Sequence, residues 1–120
     1  MKQSERDLIL YLEDIVLSMQ RAKEYVAGLD FQHFKRDYKT VDAVVRNFEI
    51  IGEAAKNLPS DFKIQHPELP WDEMYRLRNR VTHEYFGIDY EIIWDIATNQ
   101  IPKNLKDLEI ILVQERLKKE

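Results

Sequence analysis

The chain predicts an all-α fold, an up-and-down bundle of about five helices in one domain covering residues 1–120. Three observations predict it. Apolar residues recur at helical period, only three glycines and four prolines interrupt 120 residues, and no strand-like alternation is sustained. Hydrophobic residues at 44% and charged residues at 33% give a globular balance, and a chain of this length buries about two-thirds of its unfolded surface.

The first helix is expected to start near Ser4, where Ser4 and Asp7 form a variant of the capping-box pattern. Leu8, Leu12, Ile15, Met19, Ala22 and Val26 then follow at three- and four-residue steps, and Gly28 is a natural stop. "DFQHFKRD" reads as a connection with at most a short turn. Thr40 is placed to cap a second helix carrying Val41, Val44, Val45, Phe48, Ile51, Ala55 and Leu58. Its centre, "FEIIGEAAK", is apolar on more than one side, which predicts burial in the core and against a second copy of the chain. Gly52 suggests close backbone approach there. "NLPSDFKIQHPELP" is the longest turn-like stretch.

Pro70 suits the first turn of a third helix, with Asp72 and Glu73 at its positive end, running to about Phe86 before Gly87 breaks it. Asp89 is expected to cap the next helix, which holds Ile93, Trp94, Ile96 and Ala97. Pro102 starts or kinks a final helix through Leu105, Leu108, Ile111 and Leu112.

Composition narrows the function classes. A net charge of −4 gives no long-range basic field, so a polyanion would have to be held by a local patch. With no cysteine there are neither disulfides nor thiolate metal sites, and a charged start without a signal-peptide core fits a soluble, cytoplasmic protein. The longest early apolar run, "LILYL", is too short to cross a bilayer. No metal-ligating motif, Gly-rich phosphate loop or carboxylate cluster appears, so neither a metal nor a cofactor is expected.

The local patch is "RLRNRVTHEYF", Arg76 to Phe86. On a helical wheel Trp71, Met74, Val81 and Tyr85 share a face, and Arg78 falls inside it. An unpaired guanidinium is too costly to bury, so Arg78 needs a carboxylate, a core edge or a cleft that receives an anion. Arg76, Asn79, Arg80 and His83 lie on the other side, with His83 about 140° from Arg78. To act on one atom the pair needs a loosened helix, a curled arginine or a second subunit.

Histidine moves protons near neutrality and arginine forks onto phosphate oxygens, a combination suited to attack of a ribose 2′-hydroxyl on its neighbouring phosphate. Structural ion pairs or a solvated face are the simpler account of such residues on a helix, and only the placement of Arg78 inside the apolar face argues against it. Asp42, Arg46, Glu49 and Glu53 form a polar line along the second helix. Glu53 or Glu49 is either the partner that orients Arg78 or part of a solvated face of intrahelical pairs. His33 and His66, without acidic or histidine companions at ligand spacing, read as surface residues. Trp71 and Trp94 read as core or interface.

"RNRVTHEY" resembles the motif of HEPN-domain ribonucleases: an arginine, a four-residue spacer, a histidine, any residue and a tyrosine. More narrowly it is similar to HepT-type toxins of prokaryotic toxin–antitoxin pairs. "RNFEIIGEAAKNLP" upstream and "YFGIDYEIIWDIATNQIP" downstream extend the likeness from about Val41 to Leu108.

The resemblance implies a homodimeric all-α ribonuclease that needs no metal. Arg78 and His83 would be the catalytic pair, Asn79 the supporting polar residue, and the products a cyclic 2′,3′-phosphate and a 5′-hydroxyl. It further implies an MntA-type nucleotidyltransferase antitoxin that transfers AMP to Tyr85, placing anionic phosphate where RNA phosphate must sit. From the residues alone the better reading of Tyr85 is a core aromatic with its hydroxyl at the rim. Glu84, between His83 and Tyr85, makes the site less than uniformly basic.

A different class of function stays open: a non-catalytic helical module that docks a nucleotidyltransferase and presents its substrate. Nucleotide transfer by this chain itself would need paired carboxylates for Mg²⁺, which the sequence does not supply.

Overall fold

A computed structural model describes residues 3–83 and 89–118, and within them the side chains of residues 6–77 and 89–118. Every regular element among these residues is helical: α1 (Gln3–Val26), α2 (Phe31–Arg36), α3 (Tyr38–Lys56), α4 (Ser60–Gln65), α5 (Trp71–His83), α6 (Tyr90–Asp95), a π-turn (Ile96–Gln100) and α7 (Ile101–Leu117). α3 is the hub, packed along both α1 and α5, and α7 lies along α1. The all-α bundle is therefore as expected. The long turn-like stretch and the "DFQHFKRD" connection, expected as turns, each hold a six-residue helix, α4 and α2.

Local chemistry explains the boundaries. α1 starts at Gln3, so Ser4 sits in the first turn and not at the cap. Gly28 ends the segment at φ +80, a left-handed conformation that a side chain would strain. Asp30 caps α2 by accepting the His33 backbone N–H at 2.9 Å. The cap of α3 is Asp37 and not the expected Thr40. The Asp37 carboxylate accepts the Thr40 N–H at 3.2 Å and the Thr40 hydroxyl at 2.7 Å. Ser/Thr and Asp both suit a cap, and the three-residue offset decides which of the two accepts.

α5 begins as expected after Pro70, whose carbonyl accepts the Met74 N–H at 3.0 Å, with Asp72 and Glu73 in the first turn. Its backbone is α-helical through His83. The expected end near Phe86 and the Gly87 break lie outside the described residues. Asp89 caps α6 through the Ile92 N–H at 3.1 Å, as expected.

From Tyr90 to Leu117 the chain stays helical, with a π-turn just ahead of Pro102. A proline has no N–H for the i−4 carbonyl and its ring crowds that carbonyl. Here the Ile101 N–H reaches back five residues to the Ile96 carbonyl, and the Thr98 hydroxyl donates to the Trp94 carbonyl at 2.7 Å. The proline is thus accommodated by widening the turn before it.

The core unites Leu12, Ile15 and Met19 of α1, Val44, Phe48 and Ile51 of α3, and residues of α5 and α7. On α3 the broad apolar surface is used twice within one chain, once against α1 and once against α5. That breadth is accounted for without a second copy. Gly52 is buried within that run. Trp71 is buried and its indole N–H donates to the His66 carbonyl at 2.9 Å, while Trp94 packs against Phe34 with ring centroids 5.2 Å apart and planes tilted by 44°.

Candidate functional site

α5 carries the candidate site, and its first two turns fix its orientation. Trp71, Met74 and Leu77 are all buried, so this face of the helix looks into the bundle. Leu77 extends the stripe read from the sequence. On the α-helical backbone position 78 lies about 20° from Trp71 and 40° from Met74, which sets Arg78 on the core-facing side. Because the helix is regular through His83, the two motif positions keep their separation of about 140° around the axis. Loosening of the helix between them is thereby removed as a way to bring them together. His83 instead shares a line with Arg76 and Arg80, three positions one or two turns apart on one side of α5. The side chains of Arg78, Asn79 and His83, and Tyr85 altogether, lie outside what is described.

The polar line of α3 divides. Arg46 and Glu49 approach at 3.7 Å as an exposed i, i+3 pair, the solvated arrangement. Glu53 is exposed and lines a groove with Tyr11 and Asp14 of α1. Its backbone carbonyl accepts the Asn57 side-chain amide at 3.0 Å.

The other histidines need correction. His33 is on the surface, but it has an acidic companion, with Nδ1 2.7 Å from Asp30. The His33 backbone and ring hydrogen bonds hold the Asp30 carboxyl below its ordinary value. His66 is half-buried. Its side chain is only 18% exposed, lies 3.4 Å from Glu68 and packs on the Phe62 ring.

Sequence reading missed two polar features. Asn47 is 5% exposed inside α3; its amide donates to the Ala43 carbonyl at 2.8 Å, yet its Oδ1 has no partner among the described residues. Nothing in "VVRNFEI" separates a buried asparagine from a solvated one. The second is a groove of about 350 Å³ between α5, the π-turn and the start of α7. Its walls include Met74 and Leu77 beneath Glu73 and Arg76, with Gln100 and Asn104 opposite. No group of three His, Asp or Glu among the described residues is placed to hold a metal ion. No described helix is long and apolar enough to cross a membrane.

The fold and the position of the charged segment define a class: an all-α, HEPN-like bundle with its arginine- and histidine-bearing helix packed on the hub. Residues 15–111 match the family model described as "Ribonuclease HepT-like", and the chain belongs to that family. It is 44% identical over 108 residues to a Methanocaldococcus jannaschii protein named "Putative RNase MJ0127", covering 90% of this chain and 89% of that one. It is 46% identical over 102 residues to the "Probable ribonuclease HepT" of Thermococcus cleftensis, covering 85% and 90%. A third relative, "Putative RNase TTE0752" of Caldanaerobacter subterraneus, is 42% identical over 106 residues, covering 88% and 95%. No solved structure matches the chain.

Proposed function

We propose that the protein is an endoribonuclease of a HepT/MntA-type toxin–antitoxin system, cutting RNA with Arg78 and His83 and silenced through Tyr85. The observation that carries this reading is the family match over residues 15–111, which contains the whole Arg78–Tyr85 segment. Relatives named as ribonucleases along nearly their full lengths support it.

The chemistry follows from the residue types. His83 as general base takes the proton of a ribose 2′-hydroxyl, whose oxygen attacks the adjacent phosphorus. A P–O2′ bond forms and the P–O5′ bond breaks, the departing 5′-oxygen taking a proton from an imidazolium or from water, which leaves a 2′,3′-cyclic phosphate and a 5′-hydroxyl. Arg78, cationic at all working pH, stabilises the charge that grows on the phosphoryl oxygens. Asn79 supports the phosphate beside it, and Glu53 is a candidate to orient Arg78. No step calls for a metal.

Because the two positions diverge by about 140° on a straight helix, a homodimer that faces two copies of α5 across one cleft is the arrangement that best unites them. Silencing is a separate group transfer by a partner nucleotidyltransferase. The Tyr85 phenolic oxygen attacks the α-phosphorus of ATP, and pyrophosphate leaves. The resulting phosphodiester sets negative charge where the RNA phosphate must bind.

The test is cleavage of cellular RNA by purified protein in excess chelator. Replacing His83 or Arg78 by Ala is expected to lower the rate by about two to four orders of magnitude. Equal activity in both variants would trace cleavage to another nuclease and leave the helical docking module as the better account. Coexpression with the candidate partner is expected to add AMP-sized mass steps that are absent from Tyr85→Phe.

A further inference from the structure

We propose that the groove between α5 and the π-turn is a base-binding subsite for single-stranded RNA, seating a nucleoside up to about three nucleotides from the scissile phosphate. This rests on the ribonuclease reading above and adds to it where the substrate lies.

The groove has the build of a base pocket. At about 350 Å³ it falls at the small-ligand end of binding-site sizes. Its depth is apolar, with Met74, Leu77, Ile96 and Ile101 all buried. Met19 and Met74 add two thioethers, which favour the edges of aromatic rings. Around this lie groups that read base edges: the amides of Gln100 and Asn104, the Arg76 guanidinium and the Glu73 carboxylate. A carboxylate beside the arginine opposes a phosphate in the groove but accepts from the amino group of a base. The occupant the lining selects is therefore the base, with its phosphates outside.

Two further observations set the groove apart from an ordinary crevice. The first is its backbone. π-turns are rare and recur at functional positions; this one brings Ile96 and Gln100 to the groove, and Asp95 accepts from both Asn99 and Gln100, at 2.7 and 3.4 Å. The second is spare bonding capacity. Among the described residues neither the Arg76 guanidinium nor the half-buried Asn104 amide has a hydrogen-bond or ion-pair partner.

Position relates the groove to the chemistry. Arg76 and His83 lie seven residues apart on one side of α5, about 10 Å along its axis. At roughly 3.4 Å per stacked nucleotide, that is up to about three nucleotides. Bases splayed from a single strand onto amides and guanidinium planes are the usual currency of RNA recognition.

The experiment uses full-length His83→Ala protein and labelled single-stranded oligoribonucleotides with one abasic site moved along the strand. Binding is read by fluorescence anisotropy. One abasic position is expected to weaken binding roughly tenfold, the loss of a base-edge contact. Adding Asn104→Leu or Gln100→Met should erase that dependence, so that intact and abasic strands bind alike. Gln100 is exposed, which keeps its replacement compatible with folding, and thermal unfolding checks both. Unchanged position dependence in both groove variants overturns the subsite, as does binding indifferent to every abasic position. If the variants do erase it but His83-containing protein cleaves nothing, the ribonuclease reading fails and the subsite stands. Failure to bind any oligonucleotide overturns both.

Discussion

α5 has two flanks that obey different rules. Toward α3 it is sealed, with buried apolar side chains along the first two turns and extensive packing between the helices. Toward the π-turn and α7 it stands off and leaves a groove rimmed by charged and amide groups. The sealed flank is where the domain gains its stability, since burial of apolar area is the dominant favourable term. The polar rim of the open flank contributes little to folding, and Arg76 and Asn104, without partners among the described residues, can serve a ligand. The same helix is thus anchored on one side and presented on the other, as a site on a rigid element requires.

The largest stability effect should come from the sealed side. Phe48, fully buried on the hub helix α3, is expected to cost about 3–5 kcal/mol when replaced by Ala. That is a large part of the 5–15 kcal/mol typical of a domain. Urea unfolding should show a lower midpoint with an unchanged slope. A loss below about 1 kcal/mol would mean that α3 is not the hub.

A change of opposite sign sharpens the point. Asn47 keeps a buried carboxamide oxygen without a partner among the described residues, a desolvation cost that Leu of similar shape does not incur. Asn47→Leu is expected to stabilise the fold by about 1 kcal/mol and raise Tm by several degrees. A fall in Tm would mean that the oxygen has a partner in the working assembly, and would point to a role for α3 beyond packing.

Asp37 offers a smaller effect with a pH signature. The Thr40 hydroxyl, then the Thr40 N–H, hold its carboxyl below the ordinary value, so the cap stabilises the fold above the unfolded pKa of about 3.9 and fades as pH falls through the folded one. Asp37→Ala should lower Tm by a few degrees at pH 7, and the difference from the parent should vanish in strong acid. Asp37→Asn, which still accepts the Thr40 N–H, should show little of that pH dependence. Equal losses at pH 7 and in strong acid would place the effect in packing and not in the cap.

How far the sequence reveals these flanks depends on what each one needs. The sealed flank follows from period alone: Trp71 and Met74 recur with Val44, Phe48 and Ile51 at helical steps, and those positions are buried. α2 and α4 escaped because six-residue helices give too few turns for a period to emerge, and "NLPSDFKIQHPELP" advertises its prolines instead. The breadth of "FEIIGEAAK" does not by itself call for a second copy, because breadth on a helix says how many neighbours it has and not whose chain they belong to, and α1 and α5 supply two within this chain. In the candidate site, Arg78 and His83 were legible as residue types and as angles, and the structure keeps both positions on one regular helix. The groove was not legible, because Arg76 and Gln100 meet only through tertiary packing and the π-turn before Pro102 shifts the register by a residue.

The smallest expected effect is the most discriminating between the flanks. Gln100 is exposed, and its one side-chain bond among the described residues, to Asp95, is long at 3.4 Å. Gln100→Met should therefore change stability by no more than about 0.5 kcal/mol, as surface replacements usually do. The same variant is expected to lose the base dependence of RNA binding. Stability and recognition would then respond to different residues, Phe48 on one side and Gln100 on the other. If Gln100→Met instead destabilises the fold as strongly as a core change, the π-turn is a structural joint whose amide holds α6 to α7. The groove beside it would then be a by-product of accommodating Pro102, and the division between an anchored and a presented flank would be lost.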